Sequence, residues 1–417
     1  MLFAAVTLAL TPAALPGVWR NYNEVFDLAK VGPSVVAATN GGLIEETGGR
    51  WRSLLSPAGL REIGGLPPLT VQLSDTRAYS LRGRDWTQIP ELPSRNRSLE
   101  TGLLLSPTEG WPLREMPKPA ATVYSLIRDQ QGVLAGTSAG LMRWNASAWI
   151  PVGPPSALPL PRPNGLAEIG KDYLIGGLGG LYLGRPGAWK QVSTQPVRQI
   201  LGESDEAWVV YGSGAVDKVV PSQDQLFPDV WYGAARRPWV SCVAEIGKTL
   251  VFGGQGGWIE HGKEVTETYP KELDGDVVLA IEGREAVRWV GTQRSGLWRF
   301  GSGQTKRWNP GNGLTDPWVT SLCRVPPKGL MVGTMTGGLF LLDGDTIRPV
   351  ECPTKRITSL AIWKGHLVVG AMDGAWLKEV ASWRKLETDG EETTALTVLP
   401  SRVLAVTTAS GVHFLAL

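Results

Sequence analysis

Three histidines, His261, His366 and His413, and three cysteines, Cys242, Cys323 and Cys352, supply all the imidazoles and thiols of the 417-residue chain. The histidines lie far apart, with no second ligand at the i+2 or i+4 spacing that a metal site wants. The cysteines are too scattered for a disulfide framework or a CxxC metal site. Cys242 in Val-Ser-Cys-Val-Ala and Cys323 in Ser-Leu-Cys-Arg-Val read as small buried hydrophobes. Gly136-Thr-Ser-Ala-Gly140 matches the nucleophile-elbow pattern, which in hydrolases needs a strand, a following helix and a distant acid and histidine. Its neighbours supply none of these. The glycine runs at 176–180 and 253–257 lack the helix and Lys-Ser/Thr pair of a phosphate loop. Carboxylates such as Asp316, Asp373 and Glu260 are dispersed, and no spacing singles out an acid/base pair. No catalytic residue, metal or cofactor is expected.

The elements that would position these groups follow from a recurring pattern: an apolar strand, a turn of small residues, a Gly, then a second strand. Clear copies are Val35-Val-Ala-Ala-Thr-Asn-Gly-Gly-Leu43, Tyr173-Leu-Ile-Gly-Gly-Leu-Gly-Gly-Leu181, Leu250-Val-Phe-Gly-Gly-Gln-Gly-Gly-Trp258 and Leu330-Met-Val-Gly-Thr-Met-Thr-Gly-Gly-Leu339. Ser138 occupies the turn of another copy, which makes it a hairpin residue. Successive copies lie about 34 to 43 residues apart, except for one gap of about 63 before Leu141. Residues 91–120 in that gap are a degraded unit or an insertion. An apolar strand precedes each well-formed copy, and a strand often opening with Trp follows it. Each unit therefore reads as four short strands, a β-propeller blade.

Composition agrees. The 52 glycines and 31 prolines leave no Gly- and Pro-free stretch longer than Ala375 to Asp389, which excludes a helical protein. Forty-one basic against 39 acidic side chains give a net charge of +2, so nothing recruits nucleic acid or an anionic membrane electrostatically. The 18 tryptophans divide into two sets. Trp19, Trp51, Trp86, Trp149, Trp189 and Trp383 share one outer-strand position and read as blade-to-blade packing. Trp239 and Trp318 instead precede an innermost strand, at a slot where other copies carry Thr122 or Arg356.

The last copy stops at Leu417 after its third strand. Gly17-Val-Trp-Arg-Asn-Tyr22 resembles the outer strands Gly49-Arg-Trp-Arg-Ser-Leu54 and Gly187-Ala-Trp-Lys-Gln-Val192, so it is expected to complete the final blade. The fold expected for residues 17–417 is an all-β propeller of about ten four-stranded blades. A single ring closed by the N- and C-terminal strands is preferred, with two smaller propellers as the alternative. Residues 1–16, with the apolar run Leu2–Leu10 and small residues around Ala13, read as a signal peptide, the alternative being a buried terminal strand. No other segment approaches the roughly 18 apolar residues of a membrane span.

Gly291-Thr-Gln-Arg-Ser-Gly-Leu-Trp-Arg-Phe300 followed by Gly313-Leu-Thr-Asp-Pro-Trp-Val-Thr-Ser-Leu322 resembles the two-component-regulator type propeller repeat. The resemblance implies an extracytoplasmic ligand-sensing or scaffolding module, here expected without the membrane helix and kinase to which such propellers are commonly fused. It also implies that the loops between blades gather, with the central turns of the blades, on one face of the ring. On that face Trp231, Tyr232, Arg236, Arg237 and Trp239 concentrate aromatic and basic groups, and Arg294, Asp316 and Trp318 extend the patch over the next two blades. The expected role is non-catalytic binding by an exported monomer of a protein or carbohydrate ligand. The competing reading is a polysaccharide lyase or glycosidase with carboxylates at the ring centre.

Overall fold

The computed structural model describes residues 18–31, 34–47, 50–54, 60–64, 69–73, 76–82, 85–93, 119–129, 131–153, 156–203, 206–220, 225–228, 239–301, 303–325, 329–388 and 392–416. Within them the chain forms ten four-stranded antiparallel sheets. Each sheet is a blade, numbered here in chain order: blades 1 to 3 span 25–54, 60–89 and 123–152, and blades 4 to 6 span 163–193, 197–228 and 240–268. Blades 7 to 9 span 278–308, 319–350 and 357–385, and blade 10 spans 393–415 with Val18–Arg20 as its outer strand. Trp19 pairs with Val412 in that outer strand, as the end-to-end repeat pattern requires. Among the described residues no helix is long and apolar enough to cross a membrane. Residues 1–16 and 94–118, which contain the expected signal peptide and most of the uncertain 91–120 stretch, lie outside the described residues.

The blades do not follow one another around a single circle of ten. The inner strands Pro163–Ile169, Val197–Glu203, Val240–Ile246, Val278–Arg284, Val319–Val325, Ile357–Trp363 and Thr393–Val398 each pack on the next, and the last packs back on the first. Blades 4 to 10 thus form a cycle of seven. Blades 1 to 3 form a separate group in the spatial order 2, 1, 3. The preferred single ring gives way to the two-part alternative, because the chain leaves blade 10 at Arg20, builds blades 1 to 3, and returns beside its own point of departure. At that crossing the Ala157 and Leu158 amides donate to the Arg20 carbonyl at 3.0 and 3.2 Å. The Asn21 side-chain amide donates to the Leu158 carbonyl at 3.1 Å.

Apolar clusters fill every interface of the cycle, as expected when a two-faced sheet must bury both faces. Between blades 10 and 4, Trp19 is 1% exposed, and its ring meets Tyr173 at 4.9 Å and Phe414 at 4.5 Å. In the smaller group Asp27 joins all three blades. One of its oxygens accepts from the Ile63 amide of blade 2 at 2.9 Å, and the other from the Ser125 hydroxyl of blade 3 at 3.1 Å.

Candidate functional site

Every inner strand carries a β-bulge at its second residue. In the cycle of seven, the pairing skips Asn164, Arg198, Ser241, Leu279, Thr320, Thr358 and Thr394. A bulge re-aims its side chain away from the ordinary alternation, here toward the next blade and the central channel. Five of these residues act as staples, each donating to the first carbonyl of the following inner strand. Asn164 donates to Val197 at 3.1 Å, Thr320 to Ile357 at 2.8 Å, and Thr358 to Thr393 at 2.7 Å. Ser241 donates to Val278, and Thr394 to Pro163. Their hydroxyl and amide protons are therefore committed to holding the ring together.

Arg198 and Leu279 break the series. Leucine has no donor. Arg198 has five, yet its guanidinium carbon lies 5.2 Å from the Trp239 ring centroid, in cation–π range. Its interface has a substitute staple: the Gln199 amide donates to the Val243 carbonyl at 2.8 Å and accepts from the Val243 N–H at 3.0 Å. Arg198 is solvent-exposed, yet desolvation by the protein around it holds its pKa below the ordinary guanidinium value. Among the described residues no carboxylate acts on it.

The inner strands enclose a channel of about 780 Å³. Arg198, Trp239, Gln293, Trp318 and Met335 line it near the N-terminal ends of the inner strands, and Glu245 and Glu282 line it farther along. At about 3.3 Å rise per residue, three to four residues separate these two levels by roughly 10 Å or slightly more. The channel is therefore polar along its axis, with a cation and aromatic rings at one level and two acids at the other. Burial raises the Glu282 pKa, while the Gly283 N–H and the Arg324 guanidinium oppose the shift. No group of three or more His, Cys, Asp or Glu side chains suited to a metal ion occurs among the described residues.

Of the residues singled out in the sequence, Trp239 and Trp318 both line this channel, two blades apart. Each is fixed through its carbonyl by the central turn of its blade: Gln255 N–H donates to Trp239 and Met335 N–H to Trp318, both at 3.0 Å. The loops and turns do share one face, as the repeat resemblance implies. Trp318 is 39% exposed. Trp239 is half-buried, pressed against Gly214, whose φ of 82° and missing Cβ permit the close approach. Asp316 stands behind the surface at 7% exposure. One of its oxygens accepts from the Trp318 N–H at 2.9 Å, and the other from the Thr336 amide and hydroxyl and the Gly337 amide at 2.6, 2.8 and 3.0 Å. Both of its oxygens are thus engaged by groups of its own blade, and one of them fixes the backbone of Trp318. Arg294, in the central turn of blade 7, folds back onto the loop that leads into that blade, donating from its side chain to the Gly275 carbonyl at 2.5 Å. Gln293, its neighbour, takes the place in the channel wall. Trp231, Tyr232, Arg236 and Arg237 lie outside the described residues.

Arg198 is the channel residue that the motif reading missed. The signal was present in the repeat: Val197-Arg aligns with Val240-Ser, Val319-Thr, Ile357-Thr and Thr393-Thr at the start of the inner strands. A long cation in a column of short hydroxyls marks the departure. In the smaller group the bulge residues are Phe26, Arg61 and Tyr124. Arg61 packs 3.9 Å over the Phe26 ring, and the Tyr124 hydroxyl donates to Glu24 at 2.7 Å.

No protein-family model matches the chain, and no curated protein sequence does. Solved structures do. The extracellular domain of BT4673 from B. thetaiotaomicron, described as belonging to a hybrid two-component system, is similar with a TM-score of 0.52 and 14% identity, over 94% of this chain and 64% of that one. The corresponding domain of BT3049 from the same organism gives 0.52 and 14%, over 94% and 56%. This chain therefore spans less than two thirds of either. A streptogramin B lyase gives 0.50 and 12%, over 62% of this chain and 95% of the lyase. The 62% share is about the size of the seven-blade cycle.

Proposed function

Starting from the β-propeller fold that these likenesses establish, we propose that the chain is a non-catalytic recognition module, exported from the cytoplasm and serving as a sensor or scaffold. Its binding site is the mouth of the seven-blade channel, built from Arg198, Trp239, Gln293, Trp318 and Met335. The observation that carries this reading is the division of labour at the bulges. In the cycle of seven, five bulge side chains are spent on stapling blades, and the one guanidinium at that slot of the cycle is relieved of the duty by Gln199. Trp and Arg combine large contact area with directed donors, which is why they recur as binding hot spots. The extracellular character of the two domains named above supports an extracytoplasmic setting, and the repeat resemblance supports a sensing or scaffolding role.

The test is a screen of the purified protein against a glycan array and an envelope-protein pull-down, repeated with Trp318→Ala. A ligand lost on that substitution at unchanged melting temperature supports the reading. Ligands that bind wild type and variant equally well place recognition elsewhere.

A second reading, a lyase or glycosidase, draws on Glu282. Burial inside a channel raises the pKa of Glu282, the direction that suits a general acid, and Glu245 lines the same channel on the adjacent blade. Turnover of acidic and neutral polysaccharides that vanishes in Glu282→Gln would favour this reading over simple binding.

A further inference from the structure

Resting on the channel-mouth reading, we propose that the ligand is an acidic saccharide, held by its carboxylate on Arg198 and by a sugar ring against Trp239 or Trp318. Four features lead there. The guanidinium offers donors in a planar fork that matches a carboxylate, and no carboxylate of the protein acts on it among the described residues. Protein crowded around it lowers the local dielectric, so an arriving anion gains more there than on an open surface. The two tryptophans stand on blades 6 and 8 with Val277 between them at the same slot, leaving a low floor between two aromatic walls. The flat C–H face of a pyranose suits such walls, whereas an aliphatic acid would leave them unused.

The axial polarity fixes the direction of entry. Glu245 and Glu282 repel a carboxylate from their level and accept hydrogen bonds from sugar hydroxyls, so the acid group lodges at the Arg198 level and the neutral part reaches inward. A volume of about 780 Å³ lies within the usual range of ligand cavities, about 300–1,000 Å³. Arg198 is the one cation among the described residues that line the channel, which suits one carboxylate per site and not a polyanion.

The experiment is calorimetric titration of the full chain with a galactose trisaccharide whose terminal ring is oxidised to galacturonate and, as a neutral match, with the parent galactose trisaccharide. The mono-acid should bind at least about tenfold more tightly than the neutral sugar, the size of effect expected for one charge-assisted contact. Arg198→Gln should abolish that preference, and Arg198→Lys should retain part of it. Circular dichroism melting of both variants guards against misfolding. Equal binding of the two sugars, or a preference untouched by Arg198→Gln, overturns the acidic assignment. In that event neutral-sugar binding lost in Trp318→Ala leaves the channel-mouth reading standing. Capture of an aspartate-containing peptide with neither sugar bound overturns the saccharide class.

Discussion

The Thr394 hydroxyl donates to the carbonyl of Pro163, joining blade 10 to blade 4 across most of the chain. It also meets the Thr407 hydroxyl at 2.9 Å. This is the staple that the other interfaces build between consecutive blades, here used between the last blade and the first of the cycle. Replacing Thr394 by Val keeps the shape and leaves the Pro163 carbonyl without its donor. The expected loss is about 1 kcal/mol, read as a lower melting temperature, and Thr320→Val should cost a similar amount. An unchanged melting temperature in both variants would show that the staples do not hold the ring.

Trp19 and Trp318 should respond oppositely to truncation. Trp19 is fully enclosed between blades 10 and 4, so Trp19→Ala should cost about 3–5 kcal/mol by opening a cavity at the seam. Trp318→Ala removes a ring that is 39% exposed and should stay within about 0.5 kcal/mol of wild type. Chemical denaturation of the two variants side by side checks this, and equal losses would show that Trp318 is core.

Asp27→Ala should weaken the smaller group selectively. It leaves the buried Ile63 amide and the Ser125 hydroxyl without their acceptor, a cost of about 1–3 kcal/mol for each unsatisfied group. Hydrogen exchange should quicken in blades 1 to 3 and stay unchanged in blades 6 to 8. Uniform change over all blades would mean that the two groups unfold as one unit.

Glu282 should make stability fall as pH rises. Burial raises its folded pKa above the unfolded value, so between the two values the folded state binds more protons than the unfolded state does. Stability from this group is fully present below the ordinary carboxylate pKa, roughly 4, and is lost as pH climbs through the raised value. Glu282→Gln should therefore be more stable than wild type near neutral pH, with the advantage shrinking in acid. Melting curves over that range test the sign.

Cys242 and Cys323 should resist alkylation in the folded protein. Burial pushes both thiols up to about 12, which leaves almost no thiolate at neutral pH. Mass spectrometry after iodoacetamide treatment should find both unmodified until denaturant is added. Rapid labelling of Cys242 in the native state would mean that its interface opens.

Blade identity is local information, and the sequence carried it. Each hairpin is written in a short run of apolar residues ended by glycine, as in Leu250–Trp258, because strand alternation and turn conformation depend on neighbours a few residues away. The pairing of Val18–Arg20 with the last blade was legible for the same reason: a Trp-bearing outer strand stood at one end of the chain and was missing at the other. Which blade sits beside which is a different kind of fact. Every interface buries the same sorts of side chain, Val, Leu, Ile and Trp, so nothing local tells blade 4 whether to pack against blade 3 or blade 10. Only the tertiary structure divides the blades into seven and three, because that choice rests on contacts such as Trp19 with Tyr173 and Thr394 with Pro163 between residues remote in the chain. The site divided likewise. Trp239 and Trp318 were visible as odd residues in a repeated slot, while Asp316 was displaced from the surface and Arg198 brought into the channel by bulge geometry. A strand written as residues does not reveal a bulge, since the skipped residue is decided by how the backbone twists against its partner.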